Sequence, residues 1–149
     1  MNFRKATIAD IQELVECRKK QLIDEGIEPT IPIDSELFDF FHNKLSDGSL
    51  VEWIVVDQEM IIACGAVLFF DFPPSYTNKS GKKAYIANMY TSEPYRGKGL
   101  AKQLLLKLVQ EVEQAGVSSI FLAASEMGKP VYKKFGFQEK DDYLEYNIT

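Results

Sequence analysis

Residues 95–104 read YRGKGLAKQL, and two glycines, Gly97 and Gly99, stand immediately before a helical run. Glycine costs a helix about 1 kcal/mol relative to alanine, so both need a reason to be there. After them Leu100, Ala101, Leu104, Leu105, Leu108 and Val112 recur at helical spacing, and Gly116 is a stop signal. Before them AYIANMYT, residues 84–91, reads as a strand. Strand, turn and helix together have the layout of an anion site. A helix's first turn leaves backbone N–H groups unpaired, and its dipole attracts negative charge there. A glycine removes the Cβ that would hold an anion off the amide. Arg96 and Lys98 add positive charge where the dipole disfavours it, so the pair asks for an external anion. A loop that merely turns at the glycines, with Arg96 and Lys98 solvated, accounts for the same letters. The glycines alone do not separate the two readings.

Two familiar phosphate loops are excluded. A Walker loop needs Gly-Lys followed by Ser or Thr, and Leu100 follows Gly99. The dinucleotide fingerprint needs a third glycine where Lys102 stands.

Working outward, residues 2–6 read as a short strand, and TIAD, residues 7–10, fits a capping box. Ile8, Ile11, Leu14, Val15, Arg18 and Leu22 then predict a helix to about Gly26. GIEPTIPID is a connector, and Leu37, Phe38, Phe41 and Leu45 mark a second helix that Gly48 ends. SLVEWIVVD and MIIACGAVLFF are β-rich and joined by a tight turn at Asp57-Gln58-Glu59. DFPPSYTNKSGKK is an exposed loop. SSIFLAAS predicts a buried strand, KPVYKKF a short helix, and DDYLEYNIT a final strand. With no internal repeat or linker, the order predicts one mixed α/β domain over residues 1–149, its central sheet mostly antiparallel and flanked by helices.

The bulk numbers agree with a globular protein: 149 residues, 46% hydrophobic and 26% charged. A formal net charge of −5 argues against nucleic acid as a general partner. No apolar run approaches the roughly 18 residues of a membrane span, and MNFRKATIAD lacks the apolar core of a secretion signal. Cys17 and Cys64 are isolated and His42 is the only histidine, too little for a zinc site, so no metal is expected. Two thiols kept reduced suit a cytoplasmic protein. His42, in FFHNKL on the second helix, reads as structural or surface rather than catalytic.

Arg96-Gly97-Lys98-Gly99-Leu100-Ala101 does fit a further pattern: Gln or Arg, two free positions, Gly, one free position, then Gly or Ala. Here the chain resembles the GNAT superfamily of N-acetyltransferases, whose acyl-CoA signature this is. IANMYTSEPYRGKGLAKQLL, then SIFLAAS, then PVYKKFGF follow in the family's order, and the N-terminal elements agree, so the resemblance spans essentially the whole chain.

The resemblance implies a GNAT-type sheet and acetyl-CoA as cosubstrate. Arg96, Gly97, Lys98, Gly99, Leu100 and Ala101, with Lys102 in the first helical turn, would hold the CoA diphosphate through backbone amides. Met89, Tyr90 and Thr91 would pair with the pantetheine as an added strand would. The Met89 N–H would stabilise the oxyanion of a tetrahedral intermediate, a role worth roughly 3 kcal/mol elsewhere. Ordinary sheet packing accounts for the side chains of Met89 and Tyr90, and both readings hold together. Tyr132 matches the family's general acid for the thiolate leaving group; a phenol titrating near 10 suits that work. Its plain alternative is a core tyrosine on a short helix. Two places depart from the pattern: Ser125 stands where many relatives have asparagine and Gly128 where they have alanine. Ser125 is expected to bond the pantetheine directly or through water.

The implied reaction is acetyl transfer to a primary amine of a small molecule, amino acid or peptide. The alternative is a catalytically silent acyl-CoA-binding module. No base is legible: Asp71, Glu93 and Glu126 are candidates only by proximity in the chain. The acceptor side is expected from IEPTIPIDSELFDFF and FFDFPPSY, with Phe38, Phe41, Phe70, Phe72 and Tyr76 walling an aromatic pocket and Asp71 meeting an ammonium; core packing explains those rings equally well. Family members often pair, and no residue pattern here decides for a homodimer.

Overall fold

Thr7 sets the start of the first helix. Its hydroxyl accepts from the Ala9 N–H at 3.3 Å, and the Asp10 carboxylate accepts from the Thr7 N–H at 2.8 Å, closing the expected capping box. Arg4 clamps the same carboxylate with two bonds of 2.9 Å, which ties this turn to the first strand.

The computed structural model describes residues 1–140 and 142–148. Its elements are β1 (Asn2–Lys5), α1 (Ile11–Asp24), α2 (Asp34–Asp47), β2 (Leu50–Asp57), β3 (Met60–Asp71), β4 (Lys82–Thr91), α3 (Leu100–Gln114), β5 (Ile120–Phe121) and α4 (Lys129–Phe135). The strands lie in the order β1-β2-β3-β4-β5, antiparallel throughout except for the parallel pair β4/β5. Gln58 and Glu59, with φ of 51° and 63°, turn β2 into β3; two left-handed residues in a row match the twist of the hairpin.

Period two along β2 assigns the faces. Leu50 and Ile54 pack with α1 and α2 against Ile11, Leu14 and Phe41, while Val55 joins Leu100 and Leu104 of α3. Leu105, Leu108 and Val112 complete the α3 face over Val67 and Ile86. Fully burying each such leucine contributes about 1.5–3 kcal/mol, which is why α3 is fixed firmly enough to aim its N-terminus.

Two expectations are corrected. The strand predicted over SSIFLAAS narrows to Ile120–Phe121. The final strand does not form: residues 142–148 carry no strand, and Leu144, Tyr146 and Ile148 are 97%, 89% and 93% exposed, while residues 141 and 149 lie outside the described residues. Alternation marks a segment able to lie on a half-buried surface, and a ladder still needs a neighbour to bond.

Candidate active site

The shortness of β5 opens the site. β4 and β5 pair only at Ala84–Ile120 and Tyr85–Phe121, so beyond Tyr85 the outer edge of β4 has no strand partner among the described residues. Across the gap stand Ala123, Ala124 and Ser125, and the space between is a cavity of about 1120 Å³. That is ample for a large ligand, since pockets commonly run to roughly 1,000 Å³. Arg18, Gln21 and Leu22 of α1 wall its other side.

The two glycines stand at the cavity's rim. Gly97 and Gly99 have φ of 78° and 79°, left-handed conformations that side chains rarely adopt. A Cβ built on either meets nothing within 4 Å, so no neighbour crowds the loop here, and neither glycine's N–H donates to another backbone group among the described residues. Leu100 roots the helix start at 3% exposure, and Ala101 and Lys102 line the cavity beside the glycines.

The charges divide differently from expectation. Arg96 donates from Nε to the Thr91 carbonyl and from a terminal nitrogen to Asp24, each at 2.8 Å. Its charge is already matched, so it pins the loop to β4 and α1 rather than asking for an outside anion. Lys98 is exposed, 5.4 Å from the Tyr95 ring centre and off the cavity wall.

Met89, Tyr90 and Thr91 all border the cavity on the free edge of β4. The Met89 side chain packs away from it, over Gly65 and into the α3 layer; a Cβ at Gly65 would collide with Met89 Sδ. Tyr90 packs instead with the α1 layer. At Met89 and Tyr90, then, it is the backbone that β4 offers to this edge.

From the opposite wall α4 brings Tyr132, half-buried between Gly128 and Phe137. Burial pushes its phenol up to about 12, with Glu25 and Tyr85 adding to the rise. A phenol that holds its proton this firmly is a donor at neutral pH. Ser125 Oγ accepts the Gly128 N–H at 3.1 Å and so caps the approach to α4 while lining the cavity.

The rings expected to wall an acceptor pocket do not line this cavity. Phe41 is core at 1% exposure, Phe38, Phe72 and Tyr76 are exposed, and Phe70 stacks edge-on with Phe72 and Phe121. None of these lines the cavity, nor do Asp71 and Glu93; Glu126 does. The sequence reading passed over Glu52 and Asn88. Glu52 shares the parity of Leu50 and Ile54 along β2, an inward place for a carboxylate, and that was the available signal.

With this geometry in place, comparison with known proteins gives consistent relatives. The model of the acetyltransferase (GNAT) family matches residues 12–137. YycN of Bacillus subtilis, described as an uncharacterized N-acetyltransferase, is 38% identical over 101 residues, covering 66% of this chain and 54% of that protein. YsnE of the same organism, described likewise, is 28% identical over 108 residues, covering 69% and 66%. The chain thus spans about half to two thirds of the length of these relatives. A crystal structure of a predicted acetyltransferase with acetyl-CoA, from Clostridium acetobutylicum, superposes with a TM-score of 0.96 at 54% identity, covering 98% of this chain and 95% of that one.

Proposed function

The chain belongs to the acetyltransferase (GNAT) family, and from that membership and the cleft geometry we propose that it is an N-acetyltransferase domain, residues 1–149, that moves an acetyl group from acetyl-CoA directly to a primary amine. The observation that carries the reading is the pair of left-handed glycines at the foot of α3, uncrowded by their surroundings and with N–H groups that donate to no other backbone group among the described residues. Such amides, with the helix dipole behind them, suit a diphosphate. That the Clostridium relative is described with acetyl-CoA supports the choice of donor.

The chemistry follows from the two walls. The pantetheine bonds along the free edge of β4 as an added strand would. The amine nitrogen attacks the thioester carbonyl, whose oxygen takes the negative charge within reach of the Met89 N–H. As the C–S bond breaks, Tyr132 gives its proton to the departing sulfur and regains one from solvent. The amine's surplus proton leaves to water. Arg96 keeps the loop against Thr91 and Asp24 throughout.

The test is thiol release from acetyl-CoA over a panel of small amines, amino acids and peptide N-termini. Turnover with at least one amine, and acetylated product by mass, is expected. Tight CoA binding with no thiol released by any amine, and no effect of Tyr132→Phe, would support a silent acyl-CoA-binding module instead.

A further inference from the structure

Among the described residues Glu52, 1% exposed, is the most deeply buried charged side chain, and the chemistry above does not use it. It lies on β2 opposite Ala66 of β3, which lies opposite Ala87 of β4, so one row across the sheet runs from Glu52 to the edge of the cleft. The row ends at a β-bulge. Asn88 has φ of 57°, a left-handed conformation that asparagine tolerates better than most residues. Ile86 and Met89, three apart, consequently both pack toward α3, while Asn88 is turned to the opposite face, the one on which Glu52 stands with Leu50 and Ile54. There its Nδ2 lies 3.4 Å from Glu52 Oε1.

Asn88 also lines the cavity, immediately before the Met89 amide. Its Oδ1 accepts no hydrogen bond, yet no polar side-chain atom among the described residues is both shut from solvent and unpartnered. That oxygen is therefore open to the cleft. An ionised carboxylate can only accept, so it holds the NH₂ end of the amide and leaves the carbonyl end outward; a protonated acid can donate and so bind the carbonyl end instead.

We propose that Glu52 is a positioning residue for the acetyl acceptor: as a carboxylate it turns the Asn88 amide so that Oδ1 faces the cleft and accepts an N–H of the incoming amine. On taking a proton Glu52 turns the amide over and presents NH₂ there, which cannot accept from the amine. The inference rests on the amine-acetylating reading of the cleft for its substrate. Burial pushes the Glu52 carboxyl up to about 7, with Cys64, Asn88 and Arg18 opposing that rise. The titratable and charged groups facing it are Cys64 from β3 and Arg18 from α1, with Cys17 of α1 adjoining Cys64, whose Sγ lies 3.3 Å from the Asn88 carbonyl oxygen. Phe41 and Leu45 of α2 bring only hydrocarbon to this face of the sheet.

The experiment follows the Asn88 side-chain amide by ¹⁵N NMR in the full chain, alongside KM for an amine found by the panel. In the wild type the Asn88 signals are expected to titrate between about pH 6 and 8, and in Glu52→Gln to stay constant. Over the same range the wild-type KM, corrected for the fraction of neutral amine, is expected to rise about 3- to 10-fold as pH falls, the worth of one hydrogen bond. KM for acetyl-CoA should hold level, and Glu52→Gln should flatten the amine profile. Asn88→Gly, which keeps the left-handed backbone, should raise the amine KM at every pH. Asn88 signals that do not titrate, or that titrate equally in Glu52→Gln, overturn the proposal, as does a corrected amine KM independent of pH. If no amine is acetylated the proposed reaction fails, and the Asn88 titration still decides whether Glu52 turns the amide.

Discussion

The ring of Tyr132 rests on Gly128: a Cβ built on that glycine would lie 2.9 Å from Tyr132 Cε2 and 3.4 Å from Ser125 Oγ. Gly128 has φ of −83°, so alanine there meets no backbone strain and its whole effect falls on the ring. Gly128→Ala is expected to lower kcat about tenfold through misplacement of the phenol, with little change in Tm. Steady-state kinetics and thermal unfolding check this. An unchanged kcat would mean that the position of the ring does not matter.

Removing the phenol itself should act on the chemical step alone. Tyr132→Phe is expected to lower kcat about 100-fold while KM for acetyl-CoA stays within about twofold. The pH dependence follows from the upward shift to about 12. Because the folded state holds the proton where an unfolded tyrosine loses it, near 10, no stability is lost below pH 10 on this account, and stability declines as pH rises from about 10 to 12. A descending limb in kcat well below pH 10 that disappears in Tyr132→Phe would contradict this.

Gly97→Ala and Gly99→Ala place a methyl in open space on a left-handed backbone. Each is expected to cost about 1 kcal/mol of stability through strain. The loss of acetyl-CoA affinity should be larger, about tenfold or more in Kd, because the methyl occupies ligand space. Calorimetry beside thermal unfolding separates the two. A stability loss with unchanged Kd would leave the glycines as turn formers only.

Arg96 makes two contacts in different directions, to the Thr91 carbonyl and to Asp24. A lysine ammonium cannot reproduce that planar fork. Arg96→Lys is expected to raise KM for acetyl-CoA about fivefold by loosening the loop from β4. Asp24→Asn should change stability by less than about 1 kcal/mol, since the pair's side chains are 33% and 40% exposed. If Arg96→Lys and wild type have the same KM, the guanidinium does not hold the loop.

Much of this molecule was legible one segment at a time. The capping box at Thr7, the left-handed stop at Gly48, the turn at Gln58-Glu59 and the bounds of α4 are set by neighbours in the chain, so local chemistry predicts them. The loop from Arg96 to Lys102 was legible for the same reason, and every residue expected to bind there or along β4 borders the cavity except Lys98. The misses all depend on what lies across from a residue. Residues 142–148 alternate like a strand but join no ladder among the described residues, and the phenylalanines expected around the acceptor do not line the cavity, because aromatic composition carries no direction.

Sequence by itself determined the element order from β1 to α4, the inward face of α3 and the glycine loop, because each rests on contacts within a few residues. Only the tertiary structure decided that Arg96 is matched by Asp24, 72 positions away, and that Glu52 meets Asn88, 36 positions away. The reason is physical: a side chain's charge and hydrogen bonds depend on its burial and its partners, and the partners that count here arrive from other strands and helices.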